Sequence, residues 1–95
     1  MRAEVEELFE VFALLRNPKE AQDFLTDLLT PEEIERFAVR WQIMKLSVEG
    51  LSRGEIQGRV GASLGTISRA RRVVKRGTGM IRILVERLEK SRLLS

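Results

Sequence analysis

Ser52 to Arg76 reads SRGEIQGRVGASLGTISRARRVVKR, and its punctuation decides the fold. Ser52 with Glu55 three residues on is the S-x-x-E pattern of a capped helix start, and Ile56 and Val60 follow one turn apart as inward positions. Gly61-Ala62 makes a tight connection. Ser63 then caps a second helix carrying Leu64, Ile67, Ala70, Val73 and Val74 on its apolar back. A short helix, a glycine-containing turn and a second helix with a polar front predict a helix-turn-helix over 51–76. Gly54, Gly58 and Gly65 each weaken intrinsic helicity by roughly 1 kcal/mol relative to Ala, so these helices need tertiary support.

Upstream, the apolar spacing is helical throughout and no strand pattern emerges. Val5, Leu8, Phe9, Phe12 and Leu15 predict a first helix ending near Arg16, where Asn17-Pro18 caps and starts a second. That second helix carries Ala21, Phe24, Leu25, Leu28 and Leu29. Thr30-Pro31 with Glu33 opens a third and longest helix, bearing Ile34, Phe37, Ala38, Trp41, Met44, Leu46 and Val48 and closed by Gly50. Downstream, Gly77-Thr78-Gly79 breaks the chain, and Met80, Ile81, Leu84, Val85, Leu88 and Leu93 predict a last amphipathic helix, placed over 79–92. The expected fold is all-α, with six helices in a single domain of 95 residues. A chain of this length buries only about two-thirds of its unfolded surface, which favours dimerisation.

Charge divides along the chain. Residues 1–50 carry 6 basic and 11 acidic side chains, whereas residues 51–95 carry 11 basic and 3 acidic. The net +3 therefore hides a strongly positive second half, as expected of one surface facing a polyanion. Five of the eight residues from Arg69 to Arg76 are cationic, and Arg69, Arg72 and Arg76 recur at 3 and 4 spacing. In a helix-turn-helix the first turn of the second helix faces base edges while flanking cations hold phosphates. Ser63, Gly65, Thr66 and Ser68 are the small residues of that turn on the DNA-binding face, Leu64, Gly65 and Ser68 are those expected at base edges, and Thr66 or Ser68 can donate to a base or a phosphate. Arg53, Arg59, Arg71, Arg72 and Lys75 are those expected at the phosphates. On this reading Ser68→Ala changes site preference more than affinity.

Enzyme chemistry finds little support. The chain has neither Cys nor His, so no thiol nucleophile, imidazole base or soft metal site can be assembled, and no cofactor loop is recognisable. Glu32, Glu33 and Glu35 cluster at a helix start, where they complement the macrodipole. The amino-terminal stretch is acidic and amphipathic rather than a leader, and no apolar run reaches membrane-spanning length. A cytoplasmic, nucleoid-associated bacterial protein is expected. The competing reading is a helix-turn-helix that docks protein or RNA.

The run LLTPEEIERFAVRWQIMKLSVEGLSRGEIQGRVGASLGTISRARR, Leu28 to Arg72, resembles the core of the Trp-repressor superfamily, in particular its YerC/YecD-like branch. Its most specific parts are Leu28 to Glu33, Arg40 and GAS-x-x-TISR at Gly61 to Arg69. The resemblance extends over Pro18 to Leu88 and implies an intertwined homodimer with 1–50 as dimerisation helices, binding double-stranded DNA at a near-palindromic site as a transcription regulator or repressor. It also implies a ligand site for tryptophan formed by Leu29, Thr30, Arg40, Thr66 and Arg69. Two departures argue against tryptophan as corepressor. Ala70 replaces a glycine beside the ring, and Val73 replaces a serine that holds the ligand's amino group. The turn is also one residue shorter than in the repressor, as in the YerC/YecD-like branch. Within the implied dimer Trp41 is expected in the shared core, and Arg40 and Arg69 can alternatively pair with acids of the partner chain. The effector is left open.

Overall fold

The amino end is held by local capping. In the computed structural model, which describes residues 2–94, α1 spans Arg2–Leu14 and α2 spans Pro18–Leu28. The first helix stops two residues before the expected Arg16. Asn17 is extended, at φ −158° and ψ 168°, as a residue before proline must be, and its side chain accepts from the Glu20 amide at 2.9 Å. The Arg16 amide donates to Glu20 Oε1 at 2.9 Å instead of continuing α1.

Two compact units are present, Met1–Ile34 and Glu35–Ser95. In the first, the Phe12 and Phe24 rings meet edge to face, with centroids 5.5 Å apart and an interplanar angle of 82°. An exposed Lys19–Asp23 pair at 2.9 Å adds a few tenths of a kcal/mol to α2. Neither α1 nor α2 buries a residue among those described. Phe9 is 66% exposed, and Val5, Phe12 and Leu14 are exposed with it. Thr30 closes the expected capping box. Its amide donates to Glu33 Oε1 at 2.9 Å, and its Oγ1 accepts from the Glu33 amide at 3.2 Å.

The second unit holds the core. It contains most of α3 (Pro31–Val48), then α4 (Arg53–Val60), α5 (Leu64–Arg76) and α6 (Met80–Leu94). Ile43, Met44 and Leu46 of α3 pack with Ile56 of α4 and Ile67, Ala70 and Val74 of α5. Val39, Leu51, Val60 and Ile81 close over the cluster. Gly50, at φ +95°, ends α3 in the left-handed conformation expected of it.

Two packing expectations need correction. Ile43 is fully buried, yet it lies off the stripe drawn through Phe37, Trp41 and Met44. The long helix has two apolar faces, and the one that meets α4 and α5 is centred on Ile43, whereas Phe37 on the other face is 52% exposed. On α5 the expected apolar back is narrower than five residues. Ile67, Ala70 and Val74 are buried, but Leu64 and Val73 are 43% and 49% exposed. The last helix begins one residue later and ends two residues later than expected, at Met80 and Leu94. The Gly79 carbonyl accepts its first bond, from the Ile83 amide at 3.4 Å.

Gly58 lies inside α4, and a Cβ added there meets no atom within 4 Å. Gly58→Ala is therefore expected to stabilise the chain by about 0.5–1 kcal/mol, read as a higher thermal midpoint at fixed protein concentration. A lower midpoint would mean that α4 is not helical at this position.

Candidate nucleic-acid interface

The turn between α4 and α5 is set by three local devices. Ser52 and Glu55 form a complete capping box: Ser52 Oγ accepts from the Glu55 amide at 3.2 Å, and the Ser52 amide donates to Glu55 Oε1 at 2.8 Å. Gly61 ends α4 at φ +79°, a left-handed conformation that reverses the chain without a Cβ penalty. Ser63 then caps α5, its Oγ accepting from the Thr66 amide at 3.2 Å and donating to Thr66 Oγ1 at 2.9 Å. The helix-turn-helix read from Ser52 to Arg76 is thus built as its punctuation predicts.

Glu55 carries a pH signature of this architecture. The hydrogen bond from the Ser52 amide, followed by that involving the Ser52 side chain, holds its carboxyl below the usual carboxylate range, and Arg59 adds a smaller attraction. A carboxyl depressed in the folded chain contributes stability above its unfolded pKa and loses that contribution as pH falls through the folded value. The stability advantage of the native chain over Glu55→Gln is therefore expected to shrink as pH is lowered through the carboxylate range. Thermal midpoints of the two proteins, compared from pH 7 to pH 3, check this. A constant gap would show that the charge on Glu55 is irrelevant to the cap.

The first turn of α5 presents small groups to solvent. Leu64 and Gly65 are exposed, and Thr66 and Ser68 are half-buried. Beside this turn lies a cleft of about 230 Å³ lined by Arg53, Ser68, Arg71, Arg72, Lys75 and Arg76. Five of these six residues are cationic, and no carboxylate is among them. Arg53 Nη1 donates to Ser68 Oγ at 3.0 Å, joining the start of α4 to the middle of α5. Arg71 Nε is buried with no hydrogen-bond partner among the described residues, so its guanidinium is partly desolvated where it meets the other cations.

Arg53, Arg71, Arg72 and Lys75 are thus brought together, with Ser68 among them. Arg59 stands elsewhere. It lines a separate groove of about 460 Å³ with Val39, Gln42, Lys45, Leu46 and Val60. Arg76 belongs to the cleft but was left out of the expected phosphate set, although its position four residues after Arg72 could have found it. Arg40 and Arg69 are both exposed. Leu29 and Thr30 are occupied as backbone caps, Leu29 ending α2 and Thr30 starting α3. Ala70 is buried in the core with Ile56 and Ile67, so its methyl belongs to packing rather than to an open ligand face.

The family model of the Trp repressor protein matches residues 3–89. The chain belongs to the Trp repressor family. Bacillus subtilis YerC is 30% identical to it over 88 residues, 93% of this chain and 85% of that protein. This relative agrees with the branch expected from the sequence. The crystal structure of a TrpR-like protein from Eubacterium eligens superposes with a TM-score of 0.84 at 33% identity, covering 92% of this chain and 90% of that one. Six helices without a strand, among the described residues, are thus the Trp repressor fold. Membership in the Trp repressor family makes the chain a DNA-binding transcription regulator, and no helix among its described residues is long and apolar enough to cross a membrane.

Proposed function

We propose that the chain acts as a homodimer that reads a near-palindromic duplex site through α5, without tryptophan as corepressor. The observation that carries the reading is the basic cleft beside the exposed first turn of α5. A turn of small side chains admits base edges closely, and cations to one side fix the helix against the phosphates. Leu64 is placed for a thymine methyl, and Gly65 for close approach of the backbone. Ser63 and Thr66, tied to each other through their hydroxyls, lie at the same end of the helix. Arg53, Arg71, Arg72 and Lys75 take the phosphates inside the cleft, and Arg59 takes one outside it.

Dimerisation is supported by what the single chain leaves uncovered. Val5, Leu8, Phe9, Phe12 and Leu28 are exposed in the first unit and Phe37 in the second, apolar side chains that a partner chain could cover. A second copy buries them, with 1–50 as the dimerisation part, 51–76 as the reading part and 79–92 as a closing helix, so that each 95-residue chain is one domain. Two α5 helices then reach successive major-groove faces about 34 Å apart, a spacing general to dimeric helix-turn-helix proteins, the Trp repressor included.

Val73 argues against tryptophan. Half-exposed on α5, it offers no oxygen to an ammonium group, so a hydrogen bond to a charged group, worth on the order of 1.5–3 kcal/mol, is not available from this position. Selection of a randomised duplex pool at two salt concentrations, with and without L-tryptophan, tests the proposal. A two-fold symmetric motif in both conditions is the expected result. A motif only with tryptophan would restore the ligand site at Arg40 and Arg69 and overturn the corepressor statement alone. No motif in either condition would leave a helix-turn-helix that docks protein or RNA.

A further inference from the structure

We infer that Ser68 is a positioning residue for Arg53, and that the two act as one unit which seats a backbone phosphate of duplex DNA between α4 and α5. The inference deepens the proposed DNA-binding reading and rests on it. Arg53 is the first residue of α4 and is exposed. A long cation in that position loses rotamer freedom when an anion captures it. The 3.0 Å bond from its Nη1 to Ser68 Oγ fixes the guanidinium beforehand, and only the folded helix-turn-helix can make this bond, because the partners are 15 residues apart.

The chemistry of the hydroxyl sharpens the assignment. Ser68 Oγ accepts from Arg53 Nη1, so the hydroxyl holds one edge of the guanidinium in place and its contribution passes through the arginine. The guanidinium keeps further N–H donors for a phosphate oxygen. Arg71, with its Nε buried and unpartnered, and the neighbouring Arg72, Lys75 and Arg76 add positive charge that no carboxylate in the cleft offsets. The Arg53–Ser68 unit takes one phosphate of a run whose neighbours meet the other cations, and DNA phosphates are the anions that lie beside a helix inserted in the major groove.

The consequence reverses the expectation drawn from the sequence, in which Ser68 reads a base edge. A residue that positions a phosphate-binding arginine carries no base information, so its loss weakens every duplex equally. The test uses the full chain as native protein, Ser68→Ala, Ser68→Thr, Arg53→Ala and the Ser68→Ala/Arg53→Ala double variant. Affinity is measured for a selected duplex and its single-base variants over a range of salt. The expected result is a loss of about 5–10-fold for Ser68→Ala on all duplexes, restored by Thr, which keeps the hydroxyl. Arg53→Ala should flatten the salt dependence, and the double variant should be no weaker than Arg53→Ala alone, because the serine acts through the arginine. Additive losses, or a Ser68→Ala effect confined to one base position, would overturn the pair while leaving DNA binding intact. Native protein without salt-dependent duplex affinity would overturn both readings.

Discussion

Replacing Ile67 with alanine is expected to destabilise the chain by about 2–5 kcal/mol, whereas the same replacement at Leu64, three residues earlier, should change stability by less than about 1 kcal/mol. Ile67 is fully buried among Ile43, Ile56 and Val74, so truncation removes apolar contacts and leaves a cavity that helices held by their caps cannot collapse to fill. Total stabilities of small proteins are about 5–15 kcal/mol, and the loss should lower the thermal midpoint by about 10 °C or more. Leu64 is 43% exposed on the same helix, and its truncation should appear in DNA affinity instead. Far-UV circular dichroism melts at one protein concentration, with duplex binding measured alongside, separate the two effects. A destabilised Leu64→Ala and an unaffected Ile67→Ala would mean that α5 is rotated about its axis, placing a different face in the groove.

The same pair of residues illustrates what the sequence could reveal. Leu64 and Ile67 are alike in hydropathy and fit one helical stripe, so periodicity puts both on the apolar back, and only the place of Leu64 in the first turn marks it also for a base edge. The decision between them depends on where α3 and α4 lie, information that no local pattern carries. Capping is different. Asn17 with Glu20, Thr30 with Glu33, Ser52 with Glu55 and Ser63 with Thr66 are each bonded within three residues, so every one of these helix starts could be read directly. The reach of Glu20 to the Arg16 amide, which satisfies that amide outside α1, has no signature in local spacing.

Ile43 failed for a reason of geometry. A helix covered on two sides has two apolar faces, and a single stripe of 3 and 4 spacing follows only one of them. On the other face Phe37 is left exposed, with Trp41 half-buried beside it, for the proposed second copy; the face around Ile43 builds the helix-turn-helix support. For the basic residues, sequence spacing grouped Arg59 with Arg53 because both lie on α4. Six residues along a helix is about one and two-thirds turns, and the structure sends the two side chains to separate surfaces, one cleft at α5 and one groove at α3. The bond between Arg53 and Ser68 was beyond sequence reading altogether, since it depends on the mutual placement of two helices across a turn.

That separation of cations governs the expected response to salt. Arg53, Arg71, Arg72 and Lys75 in the cleft, with Arg59 outside it, are the five cations proposed at phosphates in each chain, ten in the proposed dimer. Each neutralised phosphate releases counterions, so the logarithm of affinity should fall with the logarithm of salt at a slope of about −9. Raising salt from about 50 to about 200 mM should accordingly weaken duplex binding by about 10⁵-fold. Arg72→Ala removes one cation from each chain and should flatten the slope by about 2 while weakening selected and unselected duplexes alike. Titrations of both proteins against a selected duplex and a scrambled one, at four salt concentrations, give the slopes directly. An unchanged slope with altered duplex preference would place Arg72 at a base edge. The reading face of α5 would then extend past Ser68 into its second half, and the cleft would have to be divided between base and phosphate along the helix.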